Sequence, residues 1–326
     1  MSGFEPLQSF RKPAQTFDAQ AFPAQWQIMT SKTHGYIFAL LALTIFSLQD
    51  AISKHLATSY PPIFVTMIRY WAFALFTIIL ASRMRGGLKA TARTKRPLLQ
   101  VTRGVLLAVQ VVLAITCFAI IGLARSQAIF SATPILIALL AMPILGERVG
   151  WRRWAAIAAG LFGVLLILKP EGEFFDVKLL LAVASCFNFA FYVIATRLVS
   201  RDDSSMTSFF YTGVVGGVTM TLIGPFYWSS MSPGDWGWMA LVCMTSISSH
   251  YFLIRAYDIL DAAAVQPLTY LSLVYASIIG MVIYGETLSF NVIVGSVIVV
   301  AAGIFTVWRE HVVGRRTAAA GAPQVE

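Results

Sequence analysis

Residues 124–147 read ARSQAIFSATPILIALLAMPILGE, and residues 263–286 read AAVQPLTYLSLVYASIIGMVIYGE. Laid over one another without a gap, Ala124 meets Ala263, Gln127 meets Gln266, Ile144 meets Ile283, Gly146 meets Gly285 and Glu147 meets Glu286. Each is an apolar run of the length that crosses a bilayer core, about 20 residues for about 30 Å. Each closes on Gly-Glu and is followed by another such run. The chain reads as one membrane unit used twice, an organisation found in transporters.

Composition agrees. Of 326 residues, 58% are hydrophobic and only 12% charged, where a soluble domain has about 25% charged residues. The apolar runs recur along nearly the whole chain, which leaves no room for a large soluble domain. The fold class is an all-α polytopic membrane protein. Cys117, Cys186 and Cys243 each sit inside an apolar run, without zinc spacing or a disulfide framework. No cofactor or metal is expected.

Ten windows fit one helix each: 34–56, 62–82, 98–121, 124–145, 152–169, 177–199, 206–228, 236–256, 262–284 and 290–308. Pro61-Pro62, Gly86-Gly87, Pro170, Pro233-Gly234 and the two Gly-Glu pairs punctuate them. Pro134, in the middle of the fourth window, should kink that helix. Residues 1–33 are polar and lack the order of a signal peptide; they and residues 310–326 are expected to be disordered tails. Residues 34–170 form the first five-helix repeat and 177–309 the second.

Lys and Arg set the orientation. Arg83, Arg85, Lys89, Arg93, Lys95 and Arg96 fall in the second connection, Arg148, Arg152 and Arg153 in the fourth, and Arg197 and Arg201 in the sixth. Arg255 ends the eighth window; Arg309, Arg315 and Arg316 follow the tenth. The other side has little beyond Arg125, Lys169 and Lys178. Both termini are therefore expected in the cytoplasm. This bias also accounts for the net charge of +9 without nucleic acid. An odd number of helices per repeat turns the second repeat upside down relative to the first, so that two similar halves can expose a midplane site to either side in turn.

Polar residues inside the spans are the candidate site, because each costs free energy to insert. Asp50 and Lys54 share a face of the first helix and can pair; they serve either helix packing or a binding or coupling site. Arg69 lies two turns into the second helix and Arg103 opens the third, with Gln110 on the same face as Arg103. The sixth helix carries Asn188 and Tyr192 on one face with Ser185. The eighth carries Ser246, His250 and Tyr257, and the ninth carries Gln266 and Tyr270 about Pro267. His250 is either a hydrogen-bonded structural histidine or a proton carrier. Glu147 and Glu286 read as caps, each after a C-terminal Gly and at the start of the next helix.

The segments LQDAISKHLA (48–57), PPIFVTMIRYW (61–71), LARSQAIFSATPILIALLAMPILGERVGWRRWAAIAAGLFGVLLILKP (123–170) and SSHYFLIRAYDILDAAAVQPLTYLSLVYASIIGMVIYGETL (248–288) resemble the EamA family of the drug/metabolite transporter superfamily. The pattern is most similar to the riboflavin and S-adenosylmethionine carriers. The resemblance implies a ten-helix carrier of the bacterial inner membrane built as two inverted EamA repeats. It implies small organic cargo, coupled to protons or exchanged for a counter-substrate. It also implies functional positions at Lys54, Arg69, Arg103, His250 and Tyr270. The three basic residues favour anionic or zwitterionic cargo, with Asp50 or His250 as the group that would carry a proton. A drug or amino-acid exporter of the same fold is the alternative. An intramembrane enzyme lacks its motifs here, with neither HExxH nor GxSxG. A channel would repeat a polar ring among identical subunits rather than duplicate within one chain.

Overall fold

The structure, a computed structural model, describes residues 32–84, 86–145, 151–168, 177–260 and 265–320. Every regular element among them is helical. In chain order these are α1 (Lys32–Ala57), α2 (Pro62–Arg83), a short α3 (Gly87–Thr91), α4 (Pro97–Ile120), α5 (Leu123–Phe130), α6 (Thr133–Leu145), α7 (Trp151–Leu168), α8 (Val177–Val199) and α9 (Ser205–Ile223). A 3-10 turn (Gly224–Tyr227), α10 (Pro233–Ile259), a second 3-10 turn (Gln266–Tyr270), α11 (Leu271–Tyr284) and α12 (Phe290–Ala320) complete it.

Among the described residues five helices are long and apolar enough to cross a membrane: 33–57, 62–83, 97–120, 178–199 and 205–227; three shorter apolar helices lie at 154–167, 268–284 and 290–305. Large apolar side chains cover the outside of the molecule, while polar side chains are buried among the apolar ones of the interior. Leu222, Val282 and Phe226 are 70%, 78% and 86% exposed, whereas Ser185, Gln100 and Ser249 are fully buried. That exterior suits lipid rather than water as the surrounding solvent.

Local chemistry explains where the helices start and stop. Pro62 opens α2, where its missing N–H is no loss. Ser204 and Ser232 cap α9 and α10, accepting from Thr207 N at 3.1 Å and Asp235 N at 3.2 Å. The expected kink at Pro134 is a full break, and the fourth window becomes α5 and α6. Pro134 cannot donate to the Phe130 carbonyl, and the Thr133 hydroxyl donates to it instead at 2.7 Å. The ninth window is broken at the corresponding level by the 3-10 turn that contains Pro267. Gly285 ends α11 in the left-handed region at φ +63°, and Glu286 N returns to Gly280 O at 2.9 Å, the closure expected of a C-terminal glycine. α12 continues to Ala320, beyond the boundary at 308 read from hydropathy. The tail before residue 32, the end after 320, and Gly146 and Glu147 lie outside the described residues.

Packing follows a regular scheme. α1 lies along α10 and α4 along α8; α2 packs on α9 and α7 on α12; α5 meets α11; α6 lies on α8 and α1 on α11; α4 touches α9 and α2 touches α10. Small residues set the closest of these approaches. A Cβ at Gly163 of α7 would come within 2.9 Å of the Gly295 carbonyl oxygen on α12, so the two backbones are in contact.

Candidate functional site

The polar residues of the spans gather into three groups. The first lies where α1, α2, α5 and α10 meet. Gln127 of α5 donates through Nε2 to the Asp50 carboxylate at 3.0 Å. Arg69, buried on α2, donates through Nε to Ser246 Oγ of α10 at 2.9 Å. Arg69 is within electrostatic reach of both Asp50 and His250. The His250 ring sits 5.0 Å from Phe46 and 5.1 Å from Phe73, centroid to centroid. Its Nδ1–H donates to Ser246 O at 2.8 Å, which leaves Nε2 as the acceptor of the neutral ring.

The second group surrounds Arg103 on α4. Its Nη2 donates to Thr212 Oγ1 at 2.9 Å, to Gln100 Oε1 at 3.2 Å and to Ser208 O, and its guanidinium lies 5.7 Å from the Tyr192 ring centroid. Arg103 is 97% buried and its Nε lacks a partner among the described residues. Tyr70 of α2 packs its ring against Phe73, 6.4 Å between centroids, and against Gly216 of α9. The third group joins α4 to α8. Gln110 donates to Ser185 Oγ at 2.9 Å; Asn188 donates to Gln110 Oε1 at 3.1 Å and to Leu106 O at 2.9 Å. These amides satisfy one another as glue between helices.

Asp50 and Lys54 do not pair. Lys54 is bound to the Glu286 carboxylate and lies over the Tyr284 ring at 4.0 Å. The i, i+4 rule describes an isolated helix; here each residue finds a partner on another element. Glu286 does not cap the helix that follows it. It accepts from Leu123 N at 2.7 Å and Ala124 N at 2.9 Å, at the start of α5 in the other half of the chain. Tyr270 packs against Gly303 of α12, where a Cβ would collide with its hydroxyl. The side chains of Tyr257 and Gln266 lie outside the described residues.

Glu286, Gln127 and Phe73 were not among the site residues read from the sequence. Gln127 had a visible signal, its coincidence with Gln266 in the duplicated stretch.

Both rims of the bundle carry side-chain ties. Where α8 leads into α9, the Asp203 carboxylate accepts from Lys95 N at 3.0 Å, Gln100 Nε2 at 2.9 Å and the Thr94 hydroxyl. Burial alone would raise its pKa, but these donors outweigh it and hold the carboxyl below its ordinary value of 3.8. At the opposite rim Tyr60 Oη donates to Asp235 Oδ2 at 2.7 Å. Among the described residues neither Arg69 nor Arg103 has a carboxylate within ion-pair distance, and Asp50 has no cation. Among the described residues these two guanidiniums and one carboxyl group are thus held by hydrogen bonds without an ion-pair partner. No group of three His, Cys, Asp or Glu residues suited to a metal occurs among the described residues.

Comparison with known proteins supplies the family. The EamA-like transporter family matches residues 33–169 and again residues 177–308. An S-adenosylmethionine uptake transporter of Rickettsia prowazekii is 27% identical over 85% of this chain and 93% of its own. A riboflavin transporter of Rhizobium johnstonii is 27% identical over 85% and 91%. A pseudopaline exporter of Pseudomonas aeruginosa is 26% identical over 83% and 94%. A solved crystal structure, 19% identical, superposes with a TM-score of 0.56 over 84% of this chain and 96% of that one, a likeness of fold. With one family matched over both halves of an apolar helical bundle, the chain belongs to the EamA-like transporter family of membrane proteins.

Proposed function

We propose that this protein is a secondary transporter of the bacterial inner membrane. It moves a small organic metabolite that carries a carboxylate or phosphate beside a cationic centre, by alternating access. The observation that carries this reading is the charge imbalance at the centre. Arg69, Arg103 and Asp50 stand without ion-pair partners among the described residues. An unpaired buried ion is expensive, several kcal/mol each on the order of magnitude known for proteins. Two positive groups and one negative suit a ligand with an anionic group for the guanidiniums and a cationic one for Asp50. Phe46, Phe73, Tyr70 and Tyr192 add aromatic surface around them. S-adenosylmethionine, with its carboxylate, ammonium and sulfonium, has this charge pattern, and a relative is named for it.

The alternating-access part rests on two inverted five-helix repeats. α1, α2, α4, α5 with α6, and α7 make up the first (34–170). α8, α9, α10, the second 3-10 turn with α11, and α12 make up the second (177–309). The contact scheme supports this. Exchanging each helix for its counterpart turns the α1–α10 contact into α8–α4, α4–α9 into α10–α2, and α6–α8 into α11–α1. The same exchange leaves α2–α9, α7–α12 and α5–α11 unchanged. The Lys and Arg bias supports cytoplasmic termini. Asp50 is favoured as the proton-coupling group, because its one described hydrogen-bond partner is a neutral amide, whereas His250 is enclosed by Phe46, Phe73 and the Ser246 carbonyl. An alternating-access carrier runs in either direction with the gradient.

The test is uptake into proteoliposomes without ATP, using a panel of metabolites with and without a carboxylate. Saturable uptake of carboxylate-bearing members supports the reading. Uptake indifferent to the carboxylate, or none at all, overturns it.

A further inference from the structure

We propose that Glu286 is a positioning residue for the central site: it holds α5, and through α5 the amide of Gln127, against Asp50. The inference rests on the proposed role of Asp50, but its geometry stands apart from any cargo.

Glu286 lies far along the chain from the groups it binds. Its carboxylate accepts from Leu123 N and Ala124 N, two N–H groups that open α5, and from Lys54 Nζ of α1. Lys54 balances the charge of the carboxylate, which in turn satisfies two amides that the helix itself cannot. Glycines make room for it. A Cβ at Gly122 would come within 3.0 Å of the carboxyl carbon, and one at Gly280 within 2.8 Å of Oε2. Gly122 also stands at φ +99°, which ordinary side chains resist.

A ladder follows. Lys54 lies one turn beyond Asp50 on α1, and Gln127 lies one turn beyond Leu123 on α5. The two rungs are Asp50 with Gln127, and Lys54 with Glu286 and the α5 N-terminus. Tyr284 ties the same stretch of α1 to α11, donating to Ala51 O at 2.6 Å. α5 has only eight residues and is severed from α6 at Pro134. Its register against α1 therefore depends on its ends. Releasing Glu286 frees the N-terminal end, and the donor to Asp50 moves with it.

The ladder predicts an asymmetry that a plain ion pair does not. Reversing the charges, Lys54→Glu with Glu286→Lys, restores the ion pair but offers an ammonium where two N–H groups need an acceptor. The experiment uses full-length protein in proteoliposomes, with Cys117, Cys186 and Cys243 replaced by Ala and a reporter at Ser126→Cys, a fully buried position on α5. The rate of labelling by a membrane-impermeant maleimide is read. Glu286→Gln is expected to raise it by about tenfold through a shift in the open population. Lys54→Met raises it less, Glu286→Asp restores part of the protection, and the reversed pair stays as reactive as Glu286→Gln. In uptake, Glu286→Gln raises KM, and adding Gln127→Ala to it has no further effect, as expected for residues acting in one path. Labelling of Glu286→Gln at the unmodified rate, or full protection in the reversed pair, overturns the proposal. Should Glu286→Gln fail to give folded protein, Lys54→Met decides: unchanged labelling there also overturns it. Labelling needs no cargo, so failure of the transport reading and failure of this one are told apart.

Discussion

Gln127 of α5 donates to the Asp50 carboxylate of α1 at 3.0 Å, across 77 residues of chain. An acid at the centre of a membrane bundle is thus held by a neutral amide rather than by the lysine one turn away. Lys54 is already bound to Glu286. The consequence is a carboxylate that keeps capacity for a cationic partner from outside the protein.

Asp50→Asn tests that capacity. The substitution keeps the shape and can still accept from Gln127. In the role proposed for Asp50 it removes one charge-assisted hydrogen bond to cargo, worth about 1.5–3 kcal/mol. Uptake in proteoliposomes should fall by about 10- to 100-fold, with thermal stability unchanged or raised. A normal uptake rate would remove Asp50 from the site.

Asn188→Ala should behave in the opposite way. Asn188 is spent on Gln110 and Leu106 O, joining α8 to α4. Interhelical hydrogen bonds in membranes average about 0.6 kcal/mol each, so the loss is about 1 kcal/mol, or about 1–2 °C in Tm for a chain of this size. Thermal unfolding in detergent should show that drop while the transport KM holds. A KM that shifts at constant Tm contradicts the assignment.

Pro134→Ala probes the break between α5 and α6. Alanine supplies the N–H that Phe130 O lacks, now replaced by the Thr133 hydroxyl, and lets the two helices run together. Stability should rise by less than about 1 kcal/mol, since the Phe130 carbonyl already has the Thr133 donor, while turnover should fall on the proposal that α5 shifts separately from α6. Turnover at the original rate would show that the break has no part in transport.

Acid sensitivity has a defined source at one rim. The Asp203 carboxyl is held below 3.8 by the Thr94, Lys95 and Gln100 donors, which outweigh its partial burial. A depressed carboxyl stabilises the fold fully above its unfolded value and loses that contribution as pH falls through its folded value. Asp203→Asn should therefore lower Tm near neutral pH and flatten the fall in Tm below about pH 4. Parallel Tm profiles for the two proteins would contradict this.

Much of the architecture was legible because it is written in local patterns. Hydropathy located the long helices, and Pro134 marked its break because proline lacks an N–H wherever it stands. Gly285 was readable as a helix end for a similar reason: its left-handed φ is a property of the residue type. The partners of Glu286 were not legible. Periodicity reports which residues share a helix, whereas Glu286 reaches Leu123 and Lys54 across the chain. The same limit misassigned Lys54 to Asp50, and it left Tyr270 among polar-face residues although its ring fills the notch at Gly303. The end of α12 was missed for a different reason. Residues 309–320 lack hydropathy, but their Ala and Arg favour helix.

Counterflow separates carrier-mediated exchange from leak. Proteoliposomes loaded with unlabelled S-adenosylmethionine, or another carboxylate-bearing member of the panel, are diluted into a trace of the labelled compound without ATP. Alternating access through the Arg69 site predicts a transient, saturable accumulation of label that Arg69→Ala abolishes. Flux that fails to saturate, no accumulation for any carboxylate-bearing compound, or equal accumulation in Arg69→Ala would contradict it.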